Sequence, residues 1–148
     1  MKNIFLSIFI FISAHAFSQI LEPVKWSTDV KKISSTEYEL IAIATIDEKW
    51  HLYSQNVPEG GPIPTVFTFV GNPNYLKKGN TKEEIGITVD DLTFNMRVTY
   101  FENKTTFKQR IKVKKKPPFS IASEVQYMVC DDAKCIMPEP ENLTFNIQ

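Results

Sequence analysis

An all-β chain folded as an antiparallel β-sandwich is expected here, on three grounds. Apolar residues recur with a period of two, as in Phe107-Lys108-Gln109-Arg110-Ile111-Lys112-Val113, where they alternate with cations and polar groups. That period turns one face of a strand to the core and the other to water. Clusters of Gly, Pro, Asn and Asp divide such runs at regular spacing. No segment carries a sustained apolar stripe at helical spacing. Seven or eight short strands with regular turns read as a sandwich.

Taken in chain order, the first element is not a strand. Lys2 supplies a positive charge, residues 4–12 (Ile-Phe-Leu-Ser-Ile-Phe-Ile-Phe-Ile) form a short apolar run, and Ala14, Ala16 and Ser18 follow. This is the pattern of a secretory signal peptide, too short for a stable membrane span. Residues 1–18 are therefore expected to be a cleaved leader and residues 19–148 one domain. Cleavage after Ala16 is also compatible with the pattern. No cysteine stands at the cleavage region to carry a lipid anchor, and no later segment has the length of a membrane helix. The expected location is the periplasm or the exterior.

Strands are then expected over residues 24–30, 38–46, 50–53 and 65–70. Leu92, Phe94, Met96, Val98 and Tyr100 share one parity, and so do Val125, Tyr127 and Val129. Leu143, Phe145 and Ile147 mark the last strand. The turns are Ile46-Asp47-Glu48-Lys49, Pro58-Glu59-Gly60-Gly61-Pro62, Gly71-Asn72-Pro73-Asn74, Glu102-Asn103-Lys104 and Pro117-Pro118.

Charge excludes some classes of partner. Seventeen Lys and Arg balance seventeen Asp and Glu, and the leader removes only Lys2. Nucleic acid is not an expected partner. The one basic cluster, Lys112-Val113-Lys114-Lys115-Lys116, reads as a solvated strand end and connector. There is no Ser/His/Asp set, phosphate loop or paired carboxylate motif to suggest a hydrolase.

The chemistry concentrates in Tyr127-Met128-Val129-Cys130-Asp131-Asp132-Ala133-Lys134-Cys135-Ile136-Met137-Pro138-Glu139, which holds both cysteines of the chain. They fall in the turn after the strand that ends at Val129, before the last strand. Joined, they would close a very small ring, worth roughly 2 kcal/mol on the chain-entropy estimate against about 4.7 for a hundred-residue ring. A cross-link placed for stability would join distant segments. A close pair in an oxidising compartment suits reversible opening. Asp131 and Asp132 disfavour a thiolate and Lys134 favours it, so exchange is expected to lean on a partner's thiolate.

These residues resemble the N-terminal periplasmic domain of the DsbD-type thiol:disulfide interchange proteins. The stretch from Val129 to Glu139 is similar to that family's cysteine motif. Trp50-His51-Leu52-Tyr53-Ser54-Gln55, Gly61-Pro62-Ile63-Pro64-Thr65 and Phe94-Asn95-Met96 with Tyr100-Phe101 support the resemblance across nearly the whole domain. It implies an immunoglobulin-like sandwich, thiol:disulfide oxidoreductase activity as an electron-relay domain, and no cofactor or metal. The implied partners are a thioredoxin-like donor and oxidised periplasmic proteins, met by a monomer. It further implies attack by Cys135, resolution by Cys130, an aromatic cap matched by Phe94, and a site lined by His51 and Tyr53. Met137 departs from the family, where proline is common. The chain carries neither the membrane electron-conducting domain nor the C-terminal thioredoxin-like domain, so a separate donor is expected.

Two alternatives stand beside this reading. The domain could be a non-catalytic binding module whose cysteines only staple a turn. Cys130, Cys135, Met128, Met137 and His51 are also soft ligands of the kind that suit copper(I), although the methionines and His51 read more simply as packing residues. Trp26 and Trp50 read as core.

Overall fold

In the computed structural model, which describes residues 21–148, every regular element among the described residues is a strand. The leader expected over residues 1–18 lies outside them. The strands are β1 (Val24–Lys32), β2 (Glu37–Ile46), β3 (His51–Tyr53), β4 (Val66–Phe69), β5 (Tyr75–Glu83) and β6 (Ile87–Asp91). They continue as β7 (Met96–Phe101), β8 (Lys104–Val113), β9 (Phe119–Gln126), β10 (Val129–Cys130), β11 (Cys135–Ile136) and β12 (Glu141–Ile147). No described helix is long and apolar enough to cross a membrane.

Three antiparallel sheets result, in the orders β1-β2-β8-β5, β11-β10-β3-β7-β6 and β12-β9-β4. The fold is the expected immunoglobulin-like antiparallel sandwich. Alternation is clearest on β2 and β8. Tyr38, Leu40, Ala42, Ala44 and Ile46 on the first, and Phe107, Ile111 and Val113 on the second, are all buried. They meet Phe67, Ile121, Val125, Leu143, Phe145 and Ile147 from β4, β9 and β12 in one core. Trp26 on β1 fills the space between layers, within 5.8 Å of the Phe67, Phe107 and Tyr127 rings. The Thr28 hydroxyl donates to the Thr144 carbonyl at 2.8 Å and ties β1 to β12 across the layers.

The structure corrects the expected strand plan in three places. First, β5 and β6 carry no clear apolar alternation and were not expected. Both are edge strands, where water on exposed faces removes the pattern. Second, the run from Leu92 to Tyr100 is not one strand: Leu92 is 95% exposed and, with Phe94, lies in the turn before β7. Third, the cysteines do not lie in a turn after a strand running from Val125 to Val129, because β9 ends at Gln126 and Val129 opens β10. They occupy a hairpin of their own, β10–β11, which leaves the β12-β9-β4 sheet and pairs with β3 instead. The Lys112–Lys116 segment is exposed at every lysine, as expected.

The five-stranded sheet positions the cysteines because it is covered on both faces. Leu52 on β3, Phe101 on β7 and Val129 on β10 point into the main core. Their neighbours Tyr53 and Cys130, with Val98, point the other way into a second small cluster. Adjacent strand residues face opposite sides. Burial of both Leu52 and Tyr53 therefore shows that β3 is sandwiched.

Candidate functional site

Cys130 and Cys135 are bonded to each other, with Cα atoms 4.0 Å apart. They are directly opposed on β10 and β11. The turn between them is shaped by Asp131. Its amide donates to the Lys134 carbonyl at 2.9 Å, and its Oδ1 accepts the Ala133 and Lys134 amides, each at 2.8 Å. Those two backbone donors hold the Asp131 carboxyl below the usual carboxylate range. Lys134 lies with its ammonium 5.9 Å from the centre of the Trp50 ring.

The two cysteines differ sharply in exposure. Cys130 is 2% exposed, whereas Cys135 is open to solvent. The difference follows from the hairpin: β10 is flanked by β3 and β11, while β11 is the sheet edge. Cys130 packs in the second cluster with Tyr53 and Val98, and Phe94, Met96, Tyr100, Met128, Val57 and Val89 close around them.

The aromatic residues expected at the site converge here. Cys130 is paired across the ladder with His51. The His51 ring lies tilted by 33° against Tyr100 with centres 4.4 Å apart and meets Tyr53 edge to face at 5.2 Å. Phe94 meets Tyr53 edge to face at 5.8 Å. The Tyr53 hydroxyl donates to Asp91 Oδ2 at 3.1 Å and lies 3.2 Å from His51 Nε2. Burial pushes the Tyr53 phenol well above its ordinary value, reinforced by its bond to Asp91. Burial also holds the His51 imidazole below its usual value, partly offset by Asp91, Glu102, Asp132 and Asp131.

Asp91 was missed by the sequence reading and organises the loop that carries Phe94. While Oδ2 accepts the Tyr53 hydroxyl, Oδ1 accepts the Thr93 amide at 2.8 Å and the Phe94 amide at 3.2 Å. Asn95 follows with φ of 52° and turns the chain into β7. Asp at the head of such a turn is a local signal, but its bond to Tyr53 is not local. Tyr100 stands out in the sequence for its strand parity and for the stretch that carries the resemblance, but its contact with His51 depends on pairing between β3 and β7.

Backing this cluster is the Pro58–Gly61 turn. A Cβ on Gly61 would stand 2.8 Å from Met96 Sδ and 3.0 Å from the Pro58 carbonyl oxygen. A larger residue there would require Met96 and the Pro58 carbonyl to give way. Thr65 continues the support by donating to the Tyr53 carbonyl at 2.6 Å.

Among the described residues there is no group of three or more His, Cys, Asp and Glu side chains placed to hold a metal. Met128 packs into the cysteine cluster, and Met137 is 63% exposed.

The model of the family described as thiol:disulfide interchange protein DsbD, N-terminal, matches residues 18–146. No curated protein matches the sequence. Among solved structures, the N-terminal periplasmic domain of ScsB from Proteus mirabilis is similar, with 13% identity and a TM-score of 0.54. That match covers 79% of this chain and 43% of the other. The reduced DsbD N-terminal domain of Neisseria meningitidis matches at 12% identity with a TM-score of 0.49, over 82% and 83% of the two chains. The same organism's DsbD N-terminal domain in complex with the PilB N-terminal domain matches at 12% identity and a TM-score of 0.48, over 82% and 81%.

Proposed function

The chain belongs to the DsbD N-terminal family of thiol:disulfide interchange domains, and from that membership we propose that it relays reducing equivalents through Cys130 and Cys135. The donor is a thioredoxin-like protein and the acceptors are oxidised proteins of the periplasm, where an exported domain of this family works.

The observation that carries this reading is the asymmetry of the pair: Cys135 is exposed and Cys130 is 2% exposed. Exchange proceeds through a mixed disulfide, and access to one sulfur decides where it forms. In the oxidised protein, the donor's thiolate attacks Cys135 Sγ. The bond from Cys135 to Cys130 breaks, and Cys130 leaves with the electron pair. A second donor thiolate then displaces Cys135, and both cysteines are reduced. In the other direction, Cys135 attacks an acceptor disulfide. Cys130 resolves the mixed disulfide by attacking Cys135, so the acceptor leaves reduced and this protein is oxidised again.

We assign Phe94 as the cap of this site, a reading supported by its packing against the cluster that contains Cys130 and by its contact with the Tyr53 ring. His51, paired with Cys130, and Tyr53, clustered with it, are assigned as the residues that line the site. A small ring that opens in an oxidising compartment needs protection from stray thiols, and an aromatic side chain on a turn supplies a movable cover.

Measuring the reduction potential of the purified protein tests the reading. An exchanging pair should lie near the thioredoxin-like range. A value below about −300 mV, as for disulfides that resist reduction, would make this a staple in a binding module.

A further inference from the structure

Three strands of the five-stranded sheet align one row of side chains. Cys135 opposes Cys130, and Cys130 opposes His51. Directly opposed residues of an antiparallel pair point to the same face, with Cβ atoms about 4.5–5.5 Å apart. His51 therefore flanks the buried cysteine on the side away from its disulfide partner. The ladder from β10 to β3 and the buried Val129 and Leu52 beneath it hold that relationship.

The hydrogen bonds around His51 determine its tautomer. Tyr53 has one hydroxyl proton and donates it to Asp91 Oδ2. A carboxylate only accepts, so the phenol oxygen is left to accept from His51, and Nε2 must carry the proton. In the neutral ring this makes Nδ1 a bare lone pair, and Nδ1 makes no hydrogen bond among the described residues.

Other groups facing this spot are committed or unsuitable. The Tyr53 hydroxyl is committed as a hydrogen-bond donor to Asp91, and Tyr100 has its phenol pushed up by burial. Both Asp91 oxygens accept bonds, and Asp131 caps the hairpin turn. Glu102 and Asp132 are exposed carboxylates at the rim. Held below its ordinary value by burial, His51 is neutral near pH 7.

We propose that His51 is the proton acceptor for Cys130 in the resolving step. The inference rests on Cys130 being the resolving cysteine. A thiol must lose its proton to become a nucleophile, and burial with acidic neighbours opposes that loss. In the step, Cys130 Sγ passes its proton to His51 Nδ1 and attacks Cys135 Sγ of the mixed disulfide. The Cys130–Cys135 bond forms, the bond from Cys135 to the acceptor sulfur breaks, and the acceptor sulfur leaves with the electron pair. The resulting imidazolium returns its proton to that thiolate or to water. Oxidation of the cysteine pair is balanced by reduction of the acceptor disulfide.

The test uses the purified, reduced protein and dithiobis(nitrobenzoate) as the acceptor disulfide. The first coloured thiolate released reports attack by the exposed thiol, and the second reports ring closure. His51→Gln should slow the second phase relative to the first by about tenfold or more at neutral pH. In the unaltered protein, the second-phase rate should track the neutral fraction of His51, read from its ring proton shifts in NMR. That arm stands even where the variant does not fold. A second phase of normal speed in His51→Gln overturns the proposal. So does a rate that ignores the His51 titration. If the unaltered protein releases no second thiolate, the exchanging-pair reading itself fails.

Discussion

Phe94 meets Tyr53 edge to face with ring centres 5.8 Å apart, and Tyr53 shares its cluster with the buried Cys130. An aromatic side chain on an exposed turn thus lies against a sulfur-bearing core. Phe94 is only half-buried, so Phe94→Ala should cost less than the 3–5 kcal/mol typical of a fully buried phenylalanine. The melting temperature should stay near normal while glutathione reduces the disulfide faster. Marked destabilisation with unchanged reduction kinetics would reject the cap.

The asymmetry of the cysteines predicts which variant traps partners. Cys130→Ser leaves the exposed Cys135 able to attack but removes the resolving thiol. Mixed disulfides should accumulate on this variant when it is mixed, reduced, with an oxidised disulfide protein. Cys135→Ser leaves only the buried thiol and should trap far less. Equal amounts on non-reducing gels would argue against the assigned roles.

His51 gives stability a pH dependence of known sign. Its folded pKa lies below the unfolded value of about 6.5. Below that pH the unfolded chain binds a proton that the folded protein still refuses. Stability is thus fully present above about pH 6.5 and falls as the pH drops toward the folded value. Urea midpoints between pH 7 and pH 5.5 should show this loss, and His51→Gln should flatten it. An unchanged slope in the variant would assign the effect to other groups.

Leu52 separates stability from exchange. It is 0% exposed and lies on the main-core face of β3, opposite the cysteine face. Leu52→Ala should cost about 2–5 kcal/mol, measured by urea unfolding. The exchange rate of the folded fraction with dithiobis(nitrobenzoate) should hardly change. A large rate change would mean that core packing sets the position of Cys130.

Much of this was legible locally. The alternation on β2 and β8 named the residues that are buried there, because a period of two is visible wherever one strand face meets the core. The close cysteine pair located the site, and the resemblance carried by Trp50 to Gln55 and by Phe94 brought His51, Tyr53 and the turn residue to it. Edge strands β5 and β6 were not legible, since their faces are largely solvated. The two-residue strands β10 and β11 are too short to show any period.

Local pattern is enough to specify the strand class, the small cysteine ring and the chemical types gathered near it. The burial of Cys130 and exposure of Cys135, the placing of His51 opposite Cys130, and the hydrogen bond from the Tyr53 hydroxyl to Asp91 come from the folded arrangement alone. Each of these depends on pairing between segments far apart in the chain: β10 with β3, β3 with β7, and Asp91 across 38 positions from Tyr53. A local pattern specifies which face of a strand is apolar. It does not specify which strand lies alongside, because that choice is made by the packing of the whole sheet.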